Sequence, residues 1–188
     1  MILSYFGDGG FRLQSGDLSL LVDPPNNRLK ADVVLRTLVS TEMTAPEVGE
    51  IAFPGEYEVR GIEISGIGVI EESTDKYLKT VYLVRWEEMS FAFLGHVKDV
   101  PSVDILEGLN EPNILFLPIG GGHFLSPQDA AKVAKRIEPN LIVPAFYKTP
   151  ADFLKAMGQK GREEEKLVFK KKDIITDTAK VLILKTNN

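Results

Sequence analysis

The side chains that could do acid–base or metal chemistry in this sequence are few, and they follow predicted strands. The chain of 188 residues contains two histidines, His96 and His123, and no cysteine. His96 comes directly after Gly95 and the apolar segment SFAFL, a strand end where functional groups converge. Glu42 lies in TLVSTEM, which follows the apolar run ADVVLR. An imidazole beside one or two carboxylates can act as an acid or base, or hold one divalent ion.

Composition excludes several classes of function. Without cysteine there are no disulfides, thiolate metal sites or cysteine nucleophiles. The net charge is −5, and the basic residues are dispersed except at Lys170–Lys172, which we interpret as a solvated strand end. This pattern predicts neither nucleic-acid binding nor membrane binding. The N-terminal residues show no signal-peptide pattern, so the expected location is the cytoplasm.

The first half of the chain has the pattern of antiparallel strands. Short apolar or alternating runs, separated by Gly-Asp-Gly-Gly and Ser-Gly-Asp, predict hairpins. The continuous run ADVVLR, residues 31–36, predicts a strand that is covered on both faces. The predicted strands are 2–6, 11–14, 18–22, 31–36, a pair within 56–68 with turns at Gly61 and Gly66, and a hairpin of 77–85 and 89–94.

The second half alternates strands with helices. Ser126, Pro127 and Asp129 predict a helix start, because each residue type is favoured at its position, and the helix should reach Ile137. The other predicted elements are helices at 103–108 and 150–157, strands at 113–117, 141–144, 167–169 and 181–184, and a loop at 158–166. The pattern predicts a single α/β (α+β) domain over 1–188, with two packed mixed sheets and helices outside.

In this order, the segments resemble the metallo-β-lactamase fold superfamily, in particular its small metal-dependent hydrolase-like members. The resemblance covers about residues 1–147 and is carried by several segments together. These are ILSYFGDGGFRLQSGDLSLLVDP, ADVVLRT, GEYEVRGIEI, SFAFLGH and NILFLPIGGGHFLSPQDAAKVAKRIEPNLIVPAFY.

The resemblance implies a four-layer αβ/βα sandwich with its site at one edge, between the two sheets. It also implies two divalent ions held by imidazoles and carboxylates. Such ions lower the pKa of a bound water to about 7, which makes it a nucleophile.

This sequence departs from the ligand pattern of the family at most positions. With Thr37 on the threonine of the motif THxHxDH, the histidine positions of the motif hold Leu38, Ser40 and Met43, and the aspartate position holds Glu42. The same alignment places three further residues at ligand or motif positions. They are Asp8 for the histidine of the opening turn, His96 for a bridging aspartate and Phe146 for the final histidine.

A functional and a structural interpretation remain open for each candidate residue. Glu42, His96 and Asp23 could bind one hard cation. Alternatively, Glu42 could be a solvated loop residue or a carboxylate at a helix N-terminus, and Asp23 an acceptor of backbone N–H bonds. His96 could equally be a ligand, a base or a hydrogen-bonded structural residue.

His123 lies in IGGGHFLSP, before a helix start that could accept an anion, or it is a surface residue of a glycine-rich turn. Gly120–Gly122 lack the Lys-Ser/Thr of a phosphate loop, so no nucleotide cofactor is predicted.

Three hypotheses follow. The first is a binding or assembly module that has lost the two-ion site, needs no cofactor and binds a small molecule or a protein. Its cleft would be formed by Asp8, Asp23, Leu38, Ser40, Glu42, Met43, His96, His123 and Phe146. The second is a divergent hydrolase with one divalent metal at Glu42 and His96, helped by Asp23 or Asp8. The third is a structural subunit that forms homo-oligomers through exposed hairpin edges.

Overall fold

The computed structural model describes residues 1–42, 45–109, 111–176 and 178–187. In chain order its strands are β1 Ile2–Tyr5, β2 Phe11–Ser15, β3 Leu18–Val22, β4 Val33–Leu35, β5 Leu38–Ser40, β6 Glu50–Ile51, β7 Gly55–Val59, β8 Ile62–Gly68, β9 Tyr77–Trp86, β10 Met89–Phe93, β11 Ile114–Pro118, β12 Leu141–Ala145, β13 Arg162–Glu164, β14 Leu167–Val168 and β15 Lys180–Leu184. The helices are α1 Val103–Gly108, α2 Pro127–Ile137, α3 Ala151–Met157 and the single turn α4 Lys171–Ile174, and a 3₁₀ turn spans Ile70–Glu72.

The strands form two mixed sheets. The six-stranded sheet has the order β14-β1-β2-β3-β4-β6, in which β1, β2 and β3 are antiparallel and β3, β4 and β6 are parallel. The nine-stranded sheet has the order β13-β15-β12-β11-β10-β9-β8-β7, and β5 pairs with β9. Its strands β10, β11 and β12 are parallel. Two mixed sheets with helices confirm the predicted fold class.

Alternate residues of the strands fill two cores. Between the sheets, Leu3, Leu13 and Leu20 belong to the same buried cluster as Phe93 and Phe116 of the nine-stranded sheet. On the other face of the nine-stranded sheet, a second buried cluster combines strand residues with residues of α1, α2 and α3. Helix α2 begins as predicted, because Ser126 Oγ accepts the Asp129 N–H at 3.1 Å.

The longer helices lie against the nine-stranded sheet. In the part of the chain that the structure describes, the longer helices α1–α3 all belong to the cluster on the nine-stranded sheet. The loop after β3 contacts the six-stranded sheet instead, since Arg12 Nη2 donates to the Lys30 carbonyl at 2.8 Å. Within the described residues, no helix is long and apolar enough to cross a membrane.

Three local predictions are corrected. Gly66 lies inside β8, where it pairs with Gly55 and Tyr82, so the hairpin turns at Arg60-Gly61 alone. The loop predicted at 158–166 contains β13, which pairs in parallel with β15. Lys171 and Lys172 belong to α4 and not to a strand end, because the Asp173 carboxylate accepts the Lys170 N–H at 2.8 Å and closes a helical turn.

Candidate functional site

Five parallel-paired strands of the two sheets end at one edge of the molecule. Asp23 follows β3, Thr37 follows β4, His96 follows β10, Gly120 follows β11 and Phe146 follows β12. The carboxyl ends of parallel strands are where α/β folds bind ligands, because side chains and loops converge there. Here this edge joins both sheets.

Thr37 lies where the chain crosses from one sheet to the other. It separates β4 of the six-stranded sheet from β5, whose Leu38 pairs with Lys79 of β9. The Thr37 carbonyl accepts the Thr80 N–H at 3.0 Å, and Thr37 is only 1% exposed. Its hydroxyl is therefore buried, and a buried polar group without a hydrogen-bond partner costs free energy of folding.

Thr37 connects Asp23 and His96 by hydrogen bonds. Asp23 Oδ1 accepts the Thr37 N–H at 2.8 Å, and Asp23 Oδ2 accepts the Thr37 hydroxyl proton. Thr37 Oγ1 lies 2.8 Å from His96 Nδ1. Because the Thr37 hydroxyl donates its hydrogen bond to the carboxylate, Oγ1 accepts a hydrogen bond from the N–H at His96 Nδ1. The other nitrogen of the neutral imidazole, Nε2, is then an acceptor. Asp23 thus accepts a backbone N–H, as its structural interpretation predicts.

Burial shifts the pKa values of both ionisable groups of this network. Burial raises the pKa of Asp23, while His96, the bonds from Thr37 and the charge of Arg36 oppose that rise. Burial lowers the pKa of His96, an effect that Asp23 opposes and Lys79 reinforces. The lowered pKa favours the neutral imidazole, so Nε2 can accept a hydrogen bond at neutral pH.

His96 Nε2 is directed away from the protein interior. It forms no hydrogen bond with the described residues and is not one of the buried polar atoms that lack a partner, so it reaches solvent. His96 lines a cleft of about 210 Å³ with Asp8, Asp23 and Leu38, and a larger cleft of about 720 Å³ with Asp8 and Phe146. The imidazole can therefore act on a molecule in either cleft.

The Phe146 ring closes the edge between the sheets. It stacks on Phe124 with centroids 4.2 Å apart and an interplanar angle of 18°, and it lies 4.8 Å from the His96 ring. A Cβ on Gly9 would come within 2.1 Å of Phe146 Cζ, so only glycine allows the ring to lie there. The space enclosed by Phe146, Phe11, Phe93 and Phe116 is about 10 Å³, barely the volume that one water needs.

Three residues around these clefts have strained backbone. Asp8, Asp23 and Phe146 have φ values of 45°, 41° and 53°, the left-handed region that non-glycine residues rarely adopt. Each such residue costs about 1–3 kcal/mol, and such residues cluster at functional sites. Among the described residues, five other non-glycine residues with positive φ lie elsewhere in the chain, so the strain supports this edge as the candidate site only together with its clefts and the Asp23–Thr37–His96 network.

The structure brings together most of the predicted site residues. Asp8, Asp23, Leu38 and His96 line the smaller cleft, and His123 lines the larger cleft with Asp8, His96 and Phe146. Leu38 and Ser40 also line a separate groove of about 650 Å³ beside β4 and β6.

Glu42 is exposed on a turn and lines none of these three spaces, and Met43 lies outside the described residues. Sequence reasoning missed the central position of Thr37 and the contributions of Phe124, Tyr147 and Lys148 to the larger cleft. The available signals were the position of Thr37 directly after a predicted buried strand and its register with the threonine of the motif THxHxDH.

The donor set does not fit the two divalent ions that the resemblance implies. Among the described residues, no group of three or more His, Asp or Glu side chains is placed to hold a metal ion. The structure therefore does not assemble Glu42, His96 and Asp23 into a three-ligand site. The ring of Phe146 and the side chain of Leu38 offer no electron pairs to a cation.

Comparison with known proteins identifies the family and two relatives of this chain. The family model described as "Beta-lactamase superfamily domain" matches residues 2–145. A UPF0173 metal-dependent hydrolase of Methanopyrus kandleri is 27% identical over 137 residues, which cover 65% of this chain and 60% of that protein. One from Thermococcus onnurineus is 27% identical over 133 residues, covering 64% and 58%. The chain thus spans less than two thirds of the length of these relatives.

Solved structures with the same fold cover almost the whole chain. A metallo-β-lactamase superfamily protein from Thermotoga maritima has a TM-score of 0.79 at 24% identity, with 97% of each chain covered. The metallo hydrolase Igni18 from Ignicoccus hospitalis has a TM-score of 0.73 at 16% identity, covering all of this chain and 96% of its own. At these identities the likeness concerns the fold alone.

Proposed function

Because this chain belongs to the β-lactamase superfamily domain family, we propose that it uses the metallo-β-lactamase scaffold to bind a small molecule, without a two-metal centre. The observation that carries this proposal is the position of Phe146. Its ring fills the edge between the sheets, in the register where the family pattern has its final histidine. The relatives are metal-dependent hydrolases by name. In the register of the motif THxHxDH, this chain has Leu38, Ser40 and Met43 at the histidine positions.

The replaced positions are unfavourable for cations. Leu38 and Phe146 provide only carbon atoms, and a divalent ion beside them would lose hydration without gaining ligands. Asp23 already accepts two hydrogen bonds from Thr37, so its oxygens serve the protein. The network thus gives both oxygens of Asp23 and Nδ1 of His96 a hydrogen-bond partner without an ion.

An open cleft remains beside the closed edge. Its volume of about 720 Å³ lies within the range of small-molecule pockets. Two of its lining residues, Asp8 and Phe146, keep a left-handed backbone that costs stability, which is expected where a geometry serves binding. The scaffold therefore keeps a shaped site after losing the family's ligand set.

A metal analysis tests the first half of the proposal. The full chain is purified without chelator, incubated with Zn²⁺, Mn²⁺ or Fe²⁺, desalted and measured by elemental analysis, with the Methanopyrus kandleri relative prepared in parallel. We expect substoichiometric metal and no phosphodiesterase or lactonase activity. A stoichiometric ion together with such an activity, both lost in His96→Ala, would instead establish the mononuclear hydrolase.

A fragment screen tests the second half. Amide NMR spectra are recorded with aromatic, aliphatic, sugar-like and phosphate-bearing fragments. Bound fragments should shift the resonances of Gly120–Gly122 and Tyr147–Thr149, which line the cleft. A screen in which no fragment moves these resonances contradicts the binding function.

A further inference from the structure

The larger cleft has a wall of aromatic rings. Phe146 lies between His96 and Phe124, with ring centroids 4.8 Å and 4.2 Å away, and all three half-buried side chains line the cleft. Tyr147, also half-buried, lines it as well. Because Phe146 and Phe124 stack face to face, a ligand packs against the rims of this pair, where a planar ring buries apolar area in edge-to-face contact.

The polar groups of the cleft favour a ligand with hydrogen-bond donors. His96 Nε2 is an acceptor, because Nδ1 donates to Thr37. Asp8 and Asp152 add carboxylate acceptors at the cleft, and Lys148 is the single Lys or Arg among its described lining residues. With two carboxylates against one ammonium, the cleft has no excess positive charge to attract a phosphate.

We propose that this cleft binds an uncharged planar heteroaromatic ring that packs against the stacked pair of Phe124 and Phe146 and donates an N–H to His96 Nε2. The inference rests on the proposed function, because it names the ligand class of the same site. Asp23 and Thr37 act as positioning residues: they fix the imidazole in the tautomer that leaves Nε2 as acceptor.

Three probes separate the parts of this proposal. Indole is planar and has an N–H, 1-methylindole is planar without the N–H, and cyclohexanol has a donor but no planar ring. Titrations followed by amide NMR should give a dissociation constant about tenfold higher for 1-methylindole than for indole, the effect of one lost hydrogen bond. Cyclohexanol should bind more weakly than both.

Two variants assign the effects to residues. Phe124→Leu keeps apolar volume but removes the ring, so it should weaken indole and 1-methylindole alike. Tyr77→Leu is the matched control, since Tyr77 is exposed at the start of β9 and lines none of the clefts described above. His96→Phe keeps a ring without the acceptor, so the two indoles should bind equally.

A direct measurement on the unmodified chain covers the case in which His96→Phe does not fold. Hydrogen-bond acceptance should move the ¹⁵N resonance of His96 Nε2 when indole is added, but not when 1-methylindole is added. Equal affinity for the two indoles, or an equal effect of Phe124→Leu and Tyr77→Leu, overturns the inference. If other fragments move the cleft resonances and indole does not, the ligand class is wrong while the binding function stands. If no fragment binds, both fail.

Discussion

Phe146 and Gly9 are in direct contact: a Cβ on residue 9 would lie 2.1 Å from Phe146 Cζ and 2.4 Å from Cε2. The glycine comes from the turn between β1 and β2, whereas the ring follows β12. Two segments more than 130 residues apart in sequence thus determine together how the edge of the sheets is closed.

Gly9→Ala should therefore destabilise the protein more than Gly16→Ala, a substitution that strains the backbone but makes no close contact. Gly9 has φ of 80°, and Gly16 has φ of 55° with no heavy atom within 4 Å of its Cβ position. We expect losses of about 2–4 kcal/mol for Gly9→Ala, from strain plus overpacking, and about 1 kcal/mol for the control Gly16→Ala. Urea unfolding measures both, and equal losses would contradict the close contact.

Thr37→Val should break the network without changing the side-chain shape much. The valine removes the hydroxyl that donates to Asp23 Oδ2 and accepts from His96 Nδ1, while the backbone bond to Asp23 Oδ1 remains, so we expect a loss of about 2–3 kcal/mol. The control is Thr41→Val. The exposed Thr41 hydroxyl donates to the Asp75 carbonyl at 2.6 Å, so its removal should lower the free energy of unfolding by only about 0–1 kcal/mol. Imidazole ¹⁵N shifts should also show a changed His96 tautomer in Thr37→Val alone.

The lowered pKa of His96 predicts a pH dependence of stability. As pH falls below the ordinary value of 6.5, the unfolded imidazole binds a proton before the folded one does, so the free energy of unfolding decreases. The decrease ends below the folded pKa. An imidazole NMR titration should give a midpoint below 6.5, and the stability of the unmodified chain should fall relative to His96→Gln across this window.

Asp23 contributes with the opposite sign, in a window that begins at its ordinary pKa of 3.8. Its raised pKa means that the folded carboxyl holds a proton that the unfolded one has already lost, between the ordinary 3.8 and the folded value. Its contribution to stability therefore falls as pH rises through that window. Comparison of the unmodified chain with Asp23→Asn isolates the contribution of Asp23 to the pH dependence of stability. For His96, an NMR midpoint at or above 6.5 in the unmodified chain would contradict the assigned burial effect.

Ser126→Ala tests the helix start beside the cleft. Ser126 Oγ accepts the Asp129 N–H, whereas Ser102 at the start of α1 forms no such side-chain bond. We expect Ser126→Ala to cost about 1 kcal/mol and Ser102→Ala close to nothing in urea unfolding. A similar cost in both variants would remove the capping role of Ser126.

The sequence predicts elements where local chemistry decides them. Alternation and turn residues predict β1, β2 and β3, and Ser126-Pro127 predicts the start of α2. Strand β13 escapes prediction because Arg162–Glu164 has no apolar pattern, and its strand state depends on pairing with β15.

The site is predictable only in part, for a related reason. Asp23 and His96 are found because their residue types suggest chemistry at strand ends. The position of Thr37 is not, since its partners lie 14 and 59 residues away and a buried hydroxyl gives no signal of its own. Phe124 gains its role only from stacking on Phe146, whose left-handed backbone the sequence does not indicate.

The crossing at Thr37 also has a kinetic consequence. Asp23 belongs to one sheet, His96 follows a strand of the other, and Thr37 bonds to both, so the sheets cannot shift at this edge without breaking buried hydrogen bonds. The His96 wall of the larger cleft is therefore held in place in the unliganded protein. Association should be set by diffusion into an open cleft and not by a conformational step, so affinity differences between ligands should arise in their dissociation rates.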